Sequence, residues 1–345
     1  MKQGTSLPEV LAELKRQNVQ KRDYIARASA LRLDGETFSL SCKDGSLSTT
    51  DLFHRQIGTA LDIPAKYYDR MRREKPELLS ENVNAWFASK DRSYMVRTLG
   101  TTVRALLSAR YRRIDNLEVA GAVLPLFAGQ EDMEVVSSAI TEQRLYLKIV
   151  NHRLETEVVP GDIVQSGVVI SNSEVGLGAV TVQPLVYRLV CSNGMVVNDL
   201  RERKAHIGRA AKGVEDSYDI YSDETREVED KAFLLKLRDV AMAALEESRF
   251  AQVVDKLRES TEVKITGMVQ DVVELAGKNY GLAESEQYSI LNYLIQGGDL
   301  SQYGLGNAIT RASQDVESYD RATALESIGW DVVTMPTAQW REINQ

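Results

Sequence analysis

The stretches TTVRALLSARYRRIDN (Thr101 to Asn116) and VVISNSEVGLGAVTVQPLVYRLVCSNGM (Val168 to Met195) decide the fold class. In the first, period-two alternation sets Val103, Ala105, Leu107, Ala109 and Tyr111 on one face of a strand and Arg104, Ser108, Arg110 and Arg112 on the other, with Arg113 following. One face reads as core and the other as mostly arginine. In the second, two apolar runs flank SEVGLGA, so it reads as a long hairpin. Pro184 lacks the N–H that a ladder needs, which predicts an edge or a bulge there. Between the two, QRLYLKIV repeats the alternation, with Leu145, Leu147 and Ile149 pointing one way and Arg144, Tyr146 and Lys148 the other. If the two strands share a sheet, their positive faces merge.

Outward from these stretches the periodicity turns helical. Val10, Leu11 and Leu14 mark a short amphipathic helix near the N-terminus, and ALRLDGETFSLSC reads as strand, turn, strand around Asp34-Gly35. A helix capped at Thr50 or Asp51 and another opened by Pro64 follow. NLEVAGAVLPLFAG is a helix inside the β-rich part, and a long helix is predicted from about Val228 to Glu259, with more over 262–276, 284–295 and 307–327. A short strand is expected at Trp330 to Thr334. The fold class is therefore α+β: a central antiparallel sheet with helices on one face, a helical N-terminal region and a helical C-terminal region. The divisions are a mostly helical 1–92, a β-rich core over 93–200, a basic then acidic linker over 201–230, and a helical 231–345.

A formal net charge of −8 over 345 residues argues against a protein that coats nucleic acid by bulk charge. Positive charge is instead concentrated in Arg97 to Arg113 and Arg201 to Lys212, beside the acidic SDETREVED (Ser222 to Asp230). The two cysteines, Cys42 and Cys191, are expected as reduced core residues of a cytoplasmic protein. No apolar run approaches the roughly 20 residues of a membrane span, so no membrane partner is expected.

LLSARYRRIDN and the Val168 to Met195 hairpin resemble a family found in phages and plasmids, domain of unknown function nine-three-two. Its pattern is a strand ending in a Tyr-Arg-x-Ile-x-Asn turn and a later hairpin rich in Asn, Ser, Gly, Pro, Arg and Cys. Tyr111, Arg112, Ile114, Asn116, Asn172, Ser173, Gly176, Ala179, Val182, Pro184, Arg188, Val190, Cys191 and Asn193 match it, and Glu174-Val175 departs from it. The resemblance covers most of the chain. It implies a protein of mobile elements in a bacterial host cell and supplies no activity.

Two basic tracts carry the functional expectation. Arg104, Arg110, Arg112, Arg113, Arg144, Tyr146, Lys148 and Arg188 would line the sheet; Arg201, Arg203, Lys204, Arg209 and Lys212 would form a basic segment that closes over bound nucleic acid. Guanidinium forks suit a sugar-phosphate backbone, and tyrosines can stack on bases. The competing reading is a solvated strand face and a basic linker, both neutralised by acidic neighbours. SEVGLGA lacks the Gly-Lys-Ser/Thr of a P-loop and leads into a strand, so it is a turn. His54, His152 and His206 are scattered, no Cys-x-x-Cys occurs, and Glu155, Glu157 and Asp162 read as loop carboxylates, so no catalytic, metal or cofactor site is expected.

The expectation is thus a non-enzymatic DNA-binding protein of a mobile element, with single-stranded DNA favoured and strand annealing as a candidate task. The alternative is a protein-interaction or anti-restriction factor without nucleic-acid chemistry. A homo-oligomer is expected too, because Leu185, Tyr187, Leu189 and Cys191 on one face of the last strand and Val186 and Val190 on the other make it apolar on both sides.

Overall fold

A computed structural model describes residues 1–344 except 112, 179, 199–201 and 205–222, and of 202–204, 223, 226 and 227 the backbone alone. The first of two sheets joins β1 (Lys21–Arg27), β2 (Leu31–Asp34), β3 (Thr37–Leu40), β4 (Lys43–Thr49), β5 (Ser93–Leu99) and β6 (Thr102–Ser108) in the order β1-β5-β6-β4-β3-β2. Its pairs are antiparallel except β4 with β6. Gly35, at φ 58, closes the β2–β3 turn with a backbone that favours glycine. Helices α2 (Asp51–Ala60), α3 (Ala65–Glu74) and α4 (Pro76–Ser89) bury Phe53, Ile57, Tyr68, Leu79, Val83 and Phe87 against Phe38, Leu47, Val96, Val103 and Leu106 of this sheet. The Thr50 hydroxyl accepts from Phe53 N and starts α2 where the sequence predicts.

The second sheet runs β11 (Asn193–Val196), β10 (Val180–Arg188), β9 (Ile163–Asn172), β8 (Leu145–Glu157), β7 (Met133–Ile140), and β12 (Glu202–Lys204) pairs with the other end of β10. One face, with Leu145, Leu147, Ile149, Val168, Ile170, Val180 and Val182, is covered by α1 (Leu7–Gln20), α5 (Asn116–Phe127) and α6 (Asp223–Ala243). Val164, Val186 and Met195 pack with α7 (Glu247–Glu262), α10 (Gln302–Ala312) and α11 (Tyr319–Val333) through Val254, Tyr303 and Trp330. The opposite side of the sheet holds Tyr146, Lys148, Val150, Val169 and Leu185, which meet Met1 and the start of α11. Finally α8 (Val269–Tyr280), α9 (Glu284–Gly297) and α12 (Thr337–Ile343) join α10 and α11 in a helical core of their own.

The class is α+β, as the sequence indicates, but with two sheets where one central sheet is expected. Strands β6 and β8 belong to different sheets, so their positive faces do not merge. The first 92 residues also give four strands to the first sheet. The expected strand at Trp330 to Thr334 is the end of α11: Trp330 and Val333 are buried at helical spacing, and a run that short has no period of its own. Cys42 is exposed in the β3–β4 connection, and Cys191 is half-buried. Part of the two-sided apolarity is absorbed within one chain, since Leu185 and Val186 enter different intramolecular cores, while Leu189 and Val190, past the end of β10, are exposed. Pro184 is neither at an edge nor at a bulge. It falls between the stretches of β10 paired to β11 and to β12, with its carbonyl accepting from Val197 N at 2.9 Å, so its missing donor costs the ladder nothing there. No helix among the described residues is long and apolar enough to cross a membrane.

Candidate functional site

Strand β6 breaks the simple alternation. Arg97 pairs with Ala105 and Thr98 with Val103, so Arg104 is an extra residue at a bulge. After it the phase slips: Val103 and Leu106 face the helix-covered core, while Ala105 and Leu107 look out the other side. That second side is occupied by the tip of the β9–β10 hairpin, whose Val175 packs with Leu52, Met95, Ala105, Leu107 and Tyr111. Gln56 straps the tip down, donating to Val175 O at 2.8 Å while its own carbonyl accepts from Leu106 N. Gly176 (φ 80) has no room for a β-carbon, which would lie 2.4 Å from a Leu107 methyl.

Around this plug the charged groups are paired and buried. The Arg97 guanidinium, only 3% exposed, donates to Asp23 (2.8 Å), to Asp115 (2.8 Å) and to the Glu174 carbonyl (3.0 Å). Burial works against its charge, yet the two aspartates hold its pKa above the ordinary arginine value. Burial alone would push Asp115 up; Arg97 and Lys21 outweigh it and hold the carboxyl below the usual range. Glu174 accepts from Arg104 (3.0 Å) and from the Asn116 backbone N (2.7 Å). Asn172 donates to Ile114 O and to the Asn116 side chain, both at 2.9 Å, and Tyr111 donates to Ser173 O. The motif residues of the two opening stretches therefore meet each other, and through them the two sheets are locked together.

The described polar groups of this lock are paired with one another, and several expected nucleic-acid contacts are drawn into it or into its like. Arg104 is paired with Glu174, and Arg144 donates to Leu177 O. Tyr146 is buried, donating to Asp320 at 2.8 Å. Lys148 is fully buried against Glu326 at 2.6 Å with the Tyr319 ring 4.7 Å away, so it cannot touch a ligand on the surface. Arg188 lies at the far end of β10, paired with Asp162 at 2.6 Å, on a groove of about 590 Å³ that also includes Cys191, Tyr293 and Arg311. Arg110 and Arg113 are exposed just past β6, with Arg113 at 55% reaching Asp23. Arg112, Arg201, Arg209 and Lys212 lie outside the described residues, as do the side chains of Arg203 and Lys204. The backbone of Arg203 is in register with Thr181, Ser171, Tyr146 and Ala139, one row across the sheet near the hairpin tip. Of the acidic run, 223–230 forms the first turns of α6.

Sequence reasoning missed Asp23, Arg97, Asp115 and Glu174 as a group. The one hint was Glu174, the position where the hairpin departs from the family pattern. Among the described residues no group of three or more His, Cys, Asp and Glu side chains could hold a metal ion.

Two sheets pinned by a plugged hairpin and a buried ion network define an α+β protein whose motif is a structural lock. Residues 104–289, more than half of the chain, match the family described as "Domain of unknown function (DUF932)", and the chain belongs to that family. No curated protein and no solved structure matches it.

Proposed function

We propose that this chain is a non-enzymatic nucleic-acid-binding protein of a phage, plasmid or related mobile element, with single-stranded DNA as its favoured ligand. The reading rests on the register of β12. That short strand attaches the root of the basic Arg201 to Lys212 tract to the end of the second sheet where the hairpin tip docks, the same end at which Arg110 and Arg113 stand exposed. Basic segments rooted at one end of the sheet would suit a backbone-tracking site, in which affinity comes from phosphate contacts and carries little sequence preference. The buried arginines and Lys148 take no part, because their charge is satisfied inside the protein.

A gel-shift and strand-annealing assay, run with and without magnesium, tests this. Binding of single strands without cleavage, weakened by Arg203→Glu with Lys204→Glu, is the expected result. No binding at low salt would leave the protein-interaction reading, and magnesium-dependent cleavage would make the protein a nuclease.

A further inference from the structure

Helix α6 has two apolar faces, and the core covers one of them. Phe233, Leu237 and Ala241 are buried against α5 and the second sheet. On the opposite side Val228, Leu235 and Met242 recur every seven residues and are 59%, 54% and 42% exposed. With 3.6 residues per turn, such a set forms one stripe drifting slowly around the helix, the pattern of a seam between two helices. A stripe of this kind on the solvent side of a 21-residue helix, about 31 Å long, asks for a partner helix.

We infer that the partner is α6 of a second copy, packed antiparallel about a two-fold axis at Leu235. The charge order of the helix supports this choice. Val228 and Met242 stand seven residues to either side of Leu235, so an antiparallel pair sets Val228 against Met242 of the second copy and Leu235 against itself, in a self-complementary contact of the kind a two-fold dimer requires. Lys231 and Asp239, both exposed and each four residues from Leu235, then face each other across the axis and form two ion pairs of opposite sign. Glu229 and Asp230 come opposite 241 and 240 of the second copy, within a turn of its Arg238, while Glu224 falls past the end of the partner helix. A parallel pair would instead stack acid on acid at one end and set Lys231 on Lys231. Three apolar residues a side make an interface below the standard size, so the dimer forms in the micromolar range and is concentration-dependent.

The dimer is independent of nucleic acid, and its test contains none. Sedimentation or light scattering of the full chain from low to high micromolar concentration should show a mass rising from one chain toward two. Leu235→Glu, on an exposed position that leaves circular dichroism unchanged, should weaken association about tenfold or more. Lys231→Asp and Asp239→Lys should each weaken it, and together they should restore it. A one-chain mass throughout, Leu235→Glu associating as tightly as the wild type, or a double reversal no better than the single ones would each overturn the proposal.

Discussion

Arg97 and Arg104 sit a few residues from Arg110 and Arg113, yet the two pairs live in different media. Arg97 and Arg104 lie within the first sheet, where the hairpin tip of the second sheet covers them and carboxylates satisfy their donors. Arg110 and Arg113 follow the strand and stand in solvent. The same residue type is thus a structural element on one side of Ser108 and a candidate contact on the other. What separates the two is the plug, which is supplied by residues sixty and more positions later in the chain.

The largest expected effects come from taking a cation out of the buried set. Arg97→Met removes the cation that Asp23 and Asp115 share, leaving them only Arg113 and Lys21 at the rim, and should cost about 3–5 kcal/mol in urea or thermal unfolding. Lys148→Met should cost a similar amount by stranding Glu326, and adding Glu326→Leu should return most of it, because the pair is replaced by apolar volume. If Arg97→Met unfolds like the wild type, the lock is not what joins the sheets.

Next is Asn172→Ala, which removes the hydrogen bonds to Ile114 O and the Asn116 side chain and should cost about 1–3 kcal/mol by taking the amide donor from the Ile114 carbonyl. Most of the elements around this junction were legible in the sequence, since the hairpin, α5 and the flanking strands carry clear periods of two or 3.6. The junction itself was not. The bulge at Arg104 shifts the phase of β6 without any local signal, and Asp23 comes from a strand that the polar run KRDYIAR does not announce. Lys148 alternates in sequence like a surface residue; only the arrival of Glu326 from α11 makes it a core one.

Smaller, and confined to the first sheet, is a pH effect. His54 is buried with Tyr68 on one ring nitrogen (2.9 Å), Thr49 and Glu36 on the other, and Arg72 bridging Glu36 and Asp51. Burial, aided by Arg72, pushes its pKa below 6.5. The unfolded chain therefore takes up the proton more readily, so the stability this site contributes is full above pH 6.5 and is lost as pH falls below it. His54→Gln should flatten a stability profile between pH 7 and the carboxylate range. A profile as steep as the wild type's would assign the acid sensitivity to the lowered carboxyls, Asp115 and Glu36, instead.

The smallest stability effect should accompany the largest change in binding. Arg110→Glu with Arg113→Glu changes exposed side chains, of which Arg113 is the outer partner of Asp23, and should move the unfolding free energy by about 1 kcal/mol or less, well under the buried substitutions.

The most direct test is the salt dependence of single-stranded DNA affinity for that double variant beside the wild type, each with its melting curve. The expected result is a melting curve close to the wild type's, weaker binding and a log–log salt slope shallower by about 0.7 for each phosphate that the variant no longer neutralises. Wild-type affinity and slope in the folded double variant would contradict this, and would place the binding cations elsewhere or exclude nucleic acid as the ligand.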